Sequence, residues 1–83
     1  PTYIDTYAWI LYKLGRYKEA KEWIIEVFIY DSNANAVNYE HYGDILYKLG
    51  DKKNAVQKWK KAKQLGGASK FIDQKIKDEK LYE

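Results

Sequence analysis

The sequence predicts an all-α fold made of two similar helix pairs followed by one further helix. The main evidence is a repeat: residues 7–20 recur as residues 42–55, and nine of the fourteen pairs are identical at a shift of 35 residues. Apolar residues recur at helical spacing between Gly15, Gly50 and the Gly66-Gly67 pair. A period of this length indicates stacked units that each need a neighbour to bury an apolar face.

Composition limits the class of protein. Eighty-three residues are enough for a single small domain, residues 1–83. A hydrophobic content of 46% favours a folded unit despite 33% charged residues, and the net charge of +3 is too small to indicate nucleic acid. The chain has no Cys, which excludes disulfides and thiolate metal sites, and no apolar run approaches the ~18 residues of a membrane span. Because the chain lacks Met and begins at Pro1, we expect it to be part of a longer protein.

The first repeat, about residues 3–31, is predicted to contain helices over 3–14 and 17–30. Gly15 should end the first helix in a left-handed conformation. The predicted apolar positions are Ile4, Tyr7, Ala8, Ile10, Leu11 and Leu14 in the first helix, and Tyr17, Ala20, Ile24 and Val27 in the second. A loop over 31–35 follows, with Asn35 as the next N-cap.

The second repeat, about residues 36–66, is predicted to contain helices over 36–49 and 52–65, with Asp51 as the N-cap of the latter. The second of these buries Ala55, Val56, Trp59 and Ala62. A capping helix within about residues 69–82, started by Ser69, should cover the last apolar face of the stack. Its apolar stripe contains Phe71, Ile72 and Ile76, with Leu81 as a further candidate, whereas Lys75 is assigned to the charged side.

These features resemble the tetratricopeptide repeat (TPR) family. The matching pairs, one from each copy, are Gly15 and Gly50 at the turn, Ala8 and Gly43, Ala20 and Ala55, Ile24 and Trp59, and Val27 and Ala62. Ile4 and Tyr39 replace the family's Trp, Tyr7 and Tyr42 replace its Leu, and its closing Pro is absent. The resemblance implies the C-terminal repeats of a longer protein, arranged as an α–α superhelix whose first helices line a concave face that binds proteins or peptides.

The candidate partner-binding residues lie on that expected concave face. They combine aromatic rings with carboxylates and lysines, and they are Asp5, Trp9, Tyr12, Lys13, Glu40, Asp44, Tyr47 and Lys48. Acidic residues here disfavour the carboxylate clamp of some family members and favour a partner segment with some basic character. Trp9, Tyr12 and Tyr47 would anchor the partner. The alternative is that the two tyrosines only pack between helices.

A second candidate surface lies on the charged side of the helix over 17–30. It consists of Trp23, Ile25, Ile29 and Tyr30, where the second copy has Lys60 and Gln64 at the positions of the two isoleucines. Such a patch is either a set of ordinary exposed residues or an interface, with upstream repeats or with a second copy of the chain. A homodimer through the first helix pair is therefore the alternative function.

Nucleic-acid binding and catalysis have weaker support. Lysines along the helix over 52–65 suggest an RNA-binding helical repeat, but a solvated outer face explains them better, and Trp59 is assigned to the core. His41 and Glu40 are adjacent on a helix and point in different directions. No metal-ligand spacing, phosphate loop or nucleophile motif occurs. The sequence therefore predicts a non-catalytic protein-interaction module with no catalytic residues, metal or cofactor.

Overall fold

The computed structural model describes residues 2–30 and 34–82, apart from the side chains of Thr2, Tyr3 and Tyr30. Five α-helices account for most of this part of the chain, which contains no strand, so the predicted all-α class is confirmed. The helices are α1 (Thr2–Lys13), α2 (Tyr17–Tyr30), α3 (Ala36–Lys48), α4 (Lys52–Leu65) and α5 (Ile72–Asp78).

The helices pack mainly as neighbours in sequence. α1 packs on α2, α3 packs on α4, α2 also contacts α3, and α5 lies on α4. α1 and α3 have only a small direct contact. The chain is therefore two helix pairs in series, with α5 placed against the second pair.

The turns within the two pairs are built alike. Gly15 and Gly50 have φ values of +81° and +90°, the left-handed conformation that glycine adopts without a steric penalty. The next amide donates to a carbonyl five residues back, from Arg16 to Leu11 and from Asp51 to Leu46, each at 2.9 Å. This is the Schellman arrangement, so both glycines end their helices as the sequence predicts.

The predicted N-caps of α3 and α4 are also present. Asn35 and Asn38 exchange two backbone-to-side-chain hydrogen bonds of 2.9 Å at the start of α3. The Asp51 side chain accepts from the amide of Asn54 at 3.3 Å. The last helix is shorter than predicted: α5 begins at Ile72 and has no side-chain cap, while the Ser69 hydroxyl donates to Glu40 and accepts from the amide of Phe71 at 3.3 Å.

Two hydrophobic clusters form the core, one for each pair. The first contains residues of α1 and α2 together with Ile45 of α3, and the second contains residues of α3, α4 and α5. The small residues predicted at the helix crossings, Ala20 and Ala55, are fully buried, as is Trp59. Ile45 joins the two pairs, since it belongs to α3 but packs within the first cluster.

The predicted apolar stripe of α1 is only half buried. Tyr7, Ile10 and Leu14 are 45%, 50% and 66% exposed, which corrects their assignment to the interior. Their equivalents 35 residues later behave differently: Ile45 is fully buried, and Tyr42 and Leu49 pack against the first cluster. The difference has a simple cause, because α2 packs on this side of α3, whereas no described helix packs on the same side of α1, where Trp23 contacts only the Tyr7 ring edge-on.

Side chains of different volume fill the helix crossing in the two pairs. Gly43 lies against Trp59 in the second pair, and the equivalent residues of the first pair, Ala8 and Ile24, both belong to the first cluster. A Cβ atom on Gly43 would lie 2.5 Å from Cδ1 of Trp59 and 3.0 Å from the backbone oxygen of Ala55. The indole ring therefore occupies the space that a methyl group would need.

We expect Gly43→Ala to destabilise the chain, although alanine is the better helix former. Helix propensity alone would stabilise it by about 1 kcal/mol, while overpacking costs about 1–3 kcal/mol. Urea unfolding followed by circular dichroism measures the difference. In a Trp59→Ile background the same change should be less destabilising, because the ring is gone and only the close contact with the Ala55 backbone oxygen remains. Stabilisation by Gly43→Ala with Trp59 in place would contradict this packing.

Candidate partner-binding cleft

A buried ion cluster attaches α5 to α3. Glu40 and Asp44 lie one turn apart on α3, where helical spacing places their side chains together. The Lys75 ammonium of α5 lies 2.7 Å from Oε2 of Glu40 and 2.9 Å from Oδ1 of Asp44. All three residues are buried, and Lys75 is only 3% exposed. The assignment of Lys75 to the solvated side of the last helix is therefore wrong, because two carboxylates solvate its charge in place of water.

The remaining acceptor positions of this cluster are also occupied. The indole Nε1 of Trp59 donates to Oδ1 of Asp44 at 2.9 Å. Ser69 donates its amide to Oε1 of Glu40 at 2.8 Å and its hydroxyl to Oε2. In the described part of the chain, no fully buried side-chain nitrogen or oxygen lacks a partner. Glu40 and Asp44 were predicted to face a partner, but they are buried and hold the chain around α5 in place.

The two carboxyl groups differ in their proton affinity. Burial raises the pKa of Asp44 to about 6, although Lys75 and Trp59 favour its charged form. Burial also acts to raise the pKa of Glu40, but hydrogen bonds from Lys75 and Ser69 outweigh it and the pKa lies below its usual value. Glu40 is therefore the permanent anion of the cluster, and Asp44 is the group whose charge is costly to bury.

A stack of rings lies beside the ion cluster. The Trp9 ring lies between His41 and Tyr12, with centroid distances of 3.9 Å and 4.4 Å and interplanar angles of 14° and 10°. Nδ1 of His41 is 3.0 Å from Oδ2 of Asp5, so this nitrogen carries the proton that the carboxylate accepts. The ammonium of Lys13 lies 5.3 Å from the Trp9 ring centre. The two contacts of His41, with Trp9 and with Asp5, connect α1 to α3, which otherwise touch little.

An open cleft of about 210 Å³ lies where α1, α3, α5 and the chain after α5 meet. We call it the cleft. Aromatic side chains, the Lys13 ammonium and the largely buried ion cluster surround it, and its lining residues are Trp9, Lys13, Glu40, His41, Asp44, Ser69, Phe71, Lys75 and Tyr82.

Four of the eight residues predicted for the concave face line this cleft: Trp9, Lys13, Glu40 and Asp44. The other four lie elsewhere. Asp5 is buried beside His41, and Lys48 is exposed near the end of α3. Tyr12 is 3% exposed within the first cluster and Tyr47 packs against the second, so both follow the alternative in which they pack between helices.

The sequence did not reveal the residues that α5 and its flanking chain add to the cleft. These are Ser69, Phe71, Lys75 and Tyr82. His41 of α3, which was not predicted to bind a partner, also lines the cleft. One signal was present for Lys75, which lies three residues after the buried Ile72 and therefore near the same helix face. Glu40 and Asp44 were the matching signal. They lie one turn apart on a helix that packs on both sides, and two buried carboxylates indicate a buried cation between them.

Only part of the predicted interface patch on α2 is exposed to solvent. Trp23 and Ile29 are 42% and 64% exposed, whereas Ile25 is half buried, and the side chain of Tyr30 lies outside the described residues. Trp23 contacts Tyr7 edge-on at 4.9 Å, so it adjoins the exposed apolar residues of α1. We call Tyr7, Ile10, Leu14 and Trp23 the end face.

The lysine-rich outer side of α4 also carries an open pocket of about 460 Å³, lined by residues such as Lys52, Lys53 and Lys60. Trp59 is fully buried, as predicted, so its ring is not available to stack on a base. Among the residues that the structure describes, no three His, Asp or Glu side chains are grouped closely enough to hold a metal ion. In the same residues, no helix combines the length and apolar character needed to span a membrane.

Comparisons of the chain with protein-family models, curated proteins and solved structures found no match. The tetratricopeptide resemblance therefore stays a prediction from the sequence.

The raised pKa of Asp44 predicts a pH dependence. The folded-state pKa of about 6 lies above the usual aspartate value of 3.8. The folded chain then binds more protons than the unfolded chain in this window, so the contribution of Asp44 to stability is complete below about pH 4 and is lost as the pH rises through about 6. Relative to Asp44→Asn, the wild-type free energy of unfolding should fall by on the order of 2–3 kcal/mol between about pH 4 and pH 7.

Urea unfolding at a series of pH values measures this difference. Glu22→Gln, which changes an exposed carboxylate of α2, is the matched control and should follow the wild-type curve. Parallel curves for the wild type and Asp44→Asn would show that the carboxyl group is not perturbed.

Proposed function

We propose that the chain is a non-catalytic protein–protein interaction module of the tetratricopeptide-repeat kind, in which the two helix pairs form a short right-handed stack closed by α5. The 35-residue period, the two glycine turns and the small residues Ala20 and Ala55 at the helix crossings support this arrangement. In such a stack the first helices, α1 and α3, line one side, and the cleft lies between them and α5.

The observation that carries the proposal is the size and lining of the cleft. Its volume of about 210 Å³ is below the roughly 300–1,000 Å³ typical of sites for drug-sized ligands, and it suits one or two inserted side chains. Trp9, Phe71 and Tyr82 supply aromatic area, the side-chain type that anchors most protein partners. Lys75 already neutralises much of the acidic floor, so burial of apolar groups, more than charge, supplies the affinity.

Selection of peptides from a random display library on the immobilised chain tests this function. We expect the selected peptides to converge on a shared motif and to bind Trp9→Leu at least ~10-fold more weakly than the wild type, since loss of an aromatic anchor costs over 1 kcal/mol. Trp23→Leu changes the other partly exposed Trp, which lies outside the cleft, and should leave binding unchanged. No enrichment, or equal binding to both variants, would refute the proposal.

Self-association is the second candidate function, and the end face favours it. Tyr7, Ile10 and Leu14 are exposed, whereas the equivalent residues of α3 are covered by the first pair. α5 covers the opposite side of the second pair, so head-to-tail stacking of copies is blocked there and a symmetric contact between two end faces is favoured.

Light scattering at about 100 μM tests this candidate, because dimer formation depends on concentration. We expect a dimer for the wild type, a monomer for Ile10→Glu, and a dimer for the control Val37→Glu, which alters an exposed residue of α3. A wild-type monomer would exclude this function.

A further inference from the structure

We propose that the outer side of α4 is a second binding site, which takes an acidic segment of a partner protein. The inference goes beyond the proposed function, because this site lies outside the cleft and shares no lining residue with it. Five exposed residues form the site, and we call them the lysine stripe: Lys53, Gln57, Lys60, Lys61 and Gln64.

The lysine stripe runs along one face of a single helix. Its members follow helical spacing on the side of α4 opposite the buried Ala55, Trp59 and Ala62. Two open pockets lie along this face, with volumes of about 460 Å³ and 640 Å³, and both are lined by Gln57 and Lys60. The two pockets therefore adjoin each other along the stripe, and a partner segment can lie in both.

The first copy of the repeat has different charges at the same outer positions. The residues of α2 that lie 35 positions earlier are Lys18, Glu22, Ile25, Glu26 and Ile29. Where α2 has its two glutamates, α4 has Gln57 and Lys61, and α4 as a whole contains six lysines and no acidic residue. Mixed charges keep an outer helix face solvated equally well and also form stabilising pairs one turn apart. The uniform charge of α4 therefore indicates that a partner supplies the opposite charge.

The chain's own carboxylates lie only at the edges of this face. One caps the start of α4, one forms an ion pair with Lys63, and one lines the first pocket, and they belong to Asp51, Asp73 and Glu79. Among the residues that the structure describes, Lys60 and Lys61 form no ion pair with a carboxylate. The middle of the lysine stripe therefore presents ammonium groups with which the carboxylates of a partner can pair.

The lining of this face suits a peptide better than a nucleic acid or a membrane. The amide side chains of Gln57 and Gln64 can both donate to a peptide carbonyl and accept from a peptide N–H. A phosphate backbone offers acceptors alone and would be repelled by Glu79, where a peptide can place an N–H. The lysine stripe has no ring for base stacking, and the apolar residues of α4 other than Leu65 are buried, so no apolar row can enter lipid.

A short acidic peptide is the probe for this site. The stripe is about 17 Å long at the rise of an α-helix, a length that about five residues of an extended segment match. The probe is a fluorescent peptide in which Glu alternates with Ala, and its neutral counterpart has Gln in place of Glu. We expect the full chain to bind the Glu peptide at low salt and to lose this binding as the salt concentration rises, because exposed charges are screened.

Replacing the three lysines of the stripe together tests whether they form the site. We expect at least ~5-fold weaker binding of the Glu peptide to the variant with Lys53→Gln, Lys60→Gln and Lys61→Gln, since each exposed ion pair contributes a small amount. All three positions are exposed and glutamine is a good helix former, so this variant stays folded. Gln57→Glu combined with Lys61→Glu, which gives α4 the glutamates of α2, should abolish binding.

The matched control has the same net charge as the triple variant. It replaces three exposed lysines outside the stripe by Gln, namely Lys18, Lys70 and Lys77. It should bind the Glu peptide within ~2-fold of the wild type. Trp9→Leu should also bind normally, because the cleft is not used, and this result separates the second site from the proposed function of the cleft.

Four results would overturn the proposal. They are no binding of the Glu peptide by the wild type, equal binding of the Gln peptide, an equal loss in the two triple variants, and a larger loss for another class of partner. For the last of these, binding of a short RNA duplex and of vesicles of equal parts phosphatidylserine and phosphatidylcholine is measured at the same salt. If the stripe variant loses more affinity for either of them than for the Glu peptide, the occupant is a nucleic acid or a membrane and not an acidic protein segment.

Discussion

The contact of Lys75 with Glu40 and Asp44 is the interaction on which the end of this molecule depends. It is the direct polar link between α5 and α3, and Trp59 and Ser69 bond to the same carboxylates. Burying three charges costs several kcal/mol of desolvation per ion, so the cluster is a weak source of net stability. Its effect is geometric: the lysine reaches both carboxylates only when the face of α5 that carries Lys75 lies against α3 near Glu40 and Asp44.

That geometry creates the cleft. With α5 fixed, Ser69 and Phe71 form one wall, and the turn at Glu79 directs Leu81 and Tyr82 toward α1 and α3. The opposite wall is Trp9, held by its stack with His41 and Tyr12. The cleft therefore combines elements from both helix pairs and from α5, and the repeats alone would not form it.

The sequence predicted the features that depend on local chemistry. The glycine turns, the Asn35 and Asp51 caps and the buried alanines were predictable because a backbone conformation or a crossing distance needs those residue types at those positions. The repeat added the pairing of helices. A carboxylate or lysine on a helix gives no comparable signal, because its burial depends on whether an opposite charge arrives from a distant part of the chain. Glu40 and Lys75 are 35 positions apart.

The end face shows a different limit of sequence reasoning. Residues of the same type at equivalent positions, such as Ile10 and Ile45, have the same local pattern but different surroundings. Ile45 is buried because α2 lies on it, and Ile10 is exposed because the described residues provide no such helix. Tyr12 differs from the prediction for a related reason: its ring stacks on Trp9 and makes a tilted contact with Tyr17 inside the first cluster, a position that periodicity does not distinguish from the edge of a groove.

Amide hydrogen exchange on Lys75→Met, with Lys77→Met as the exposed control, tests most directly whether the ion cluster positions α5. Removing one partner of a buried ion group is strongly destabilising. Release of α5, however, lets water reach Glu40 and Asp44, so the loss of structure is confined to residues 72–82. The account predicts at least ~10-fold faster exchange in residues 72–82 and near-normal protection in α1 to α4. Unchanged exchange in α5, or equal loss of protection in all five helices, would contradict it.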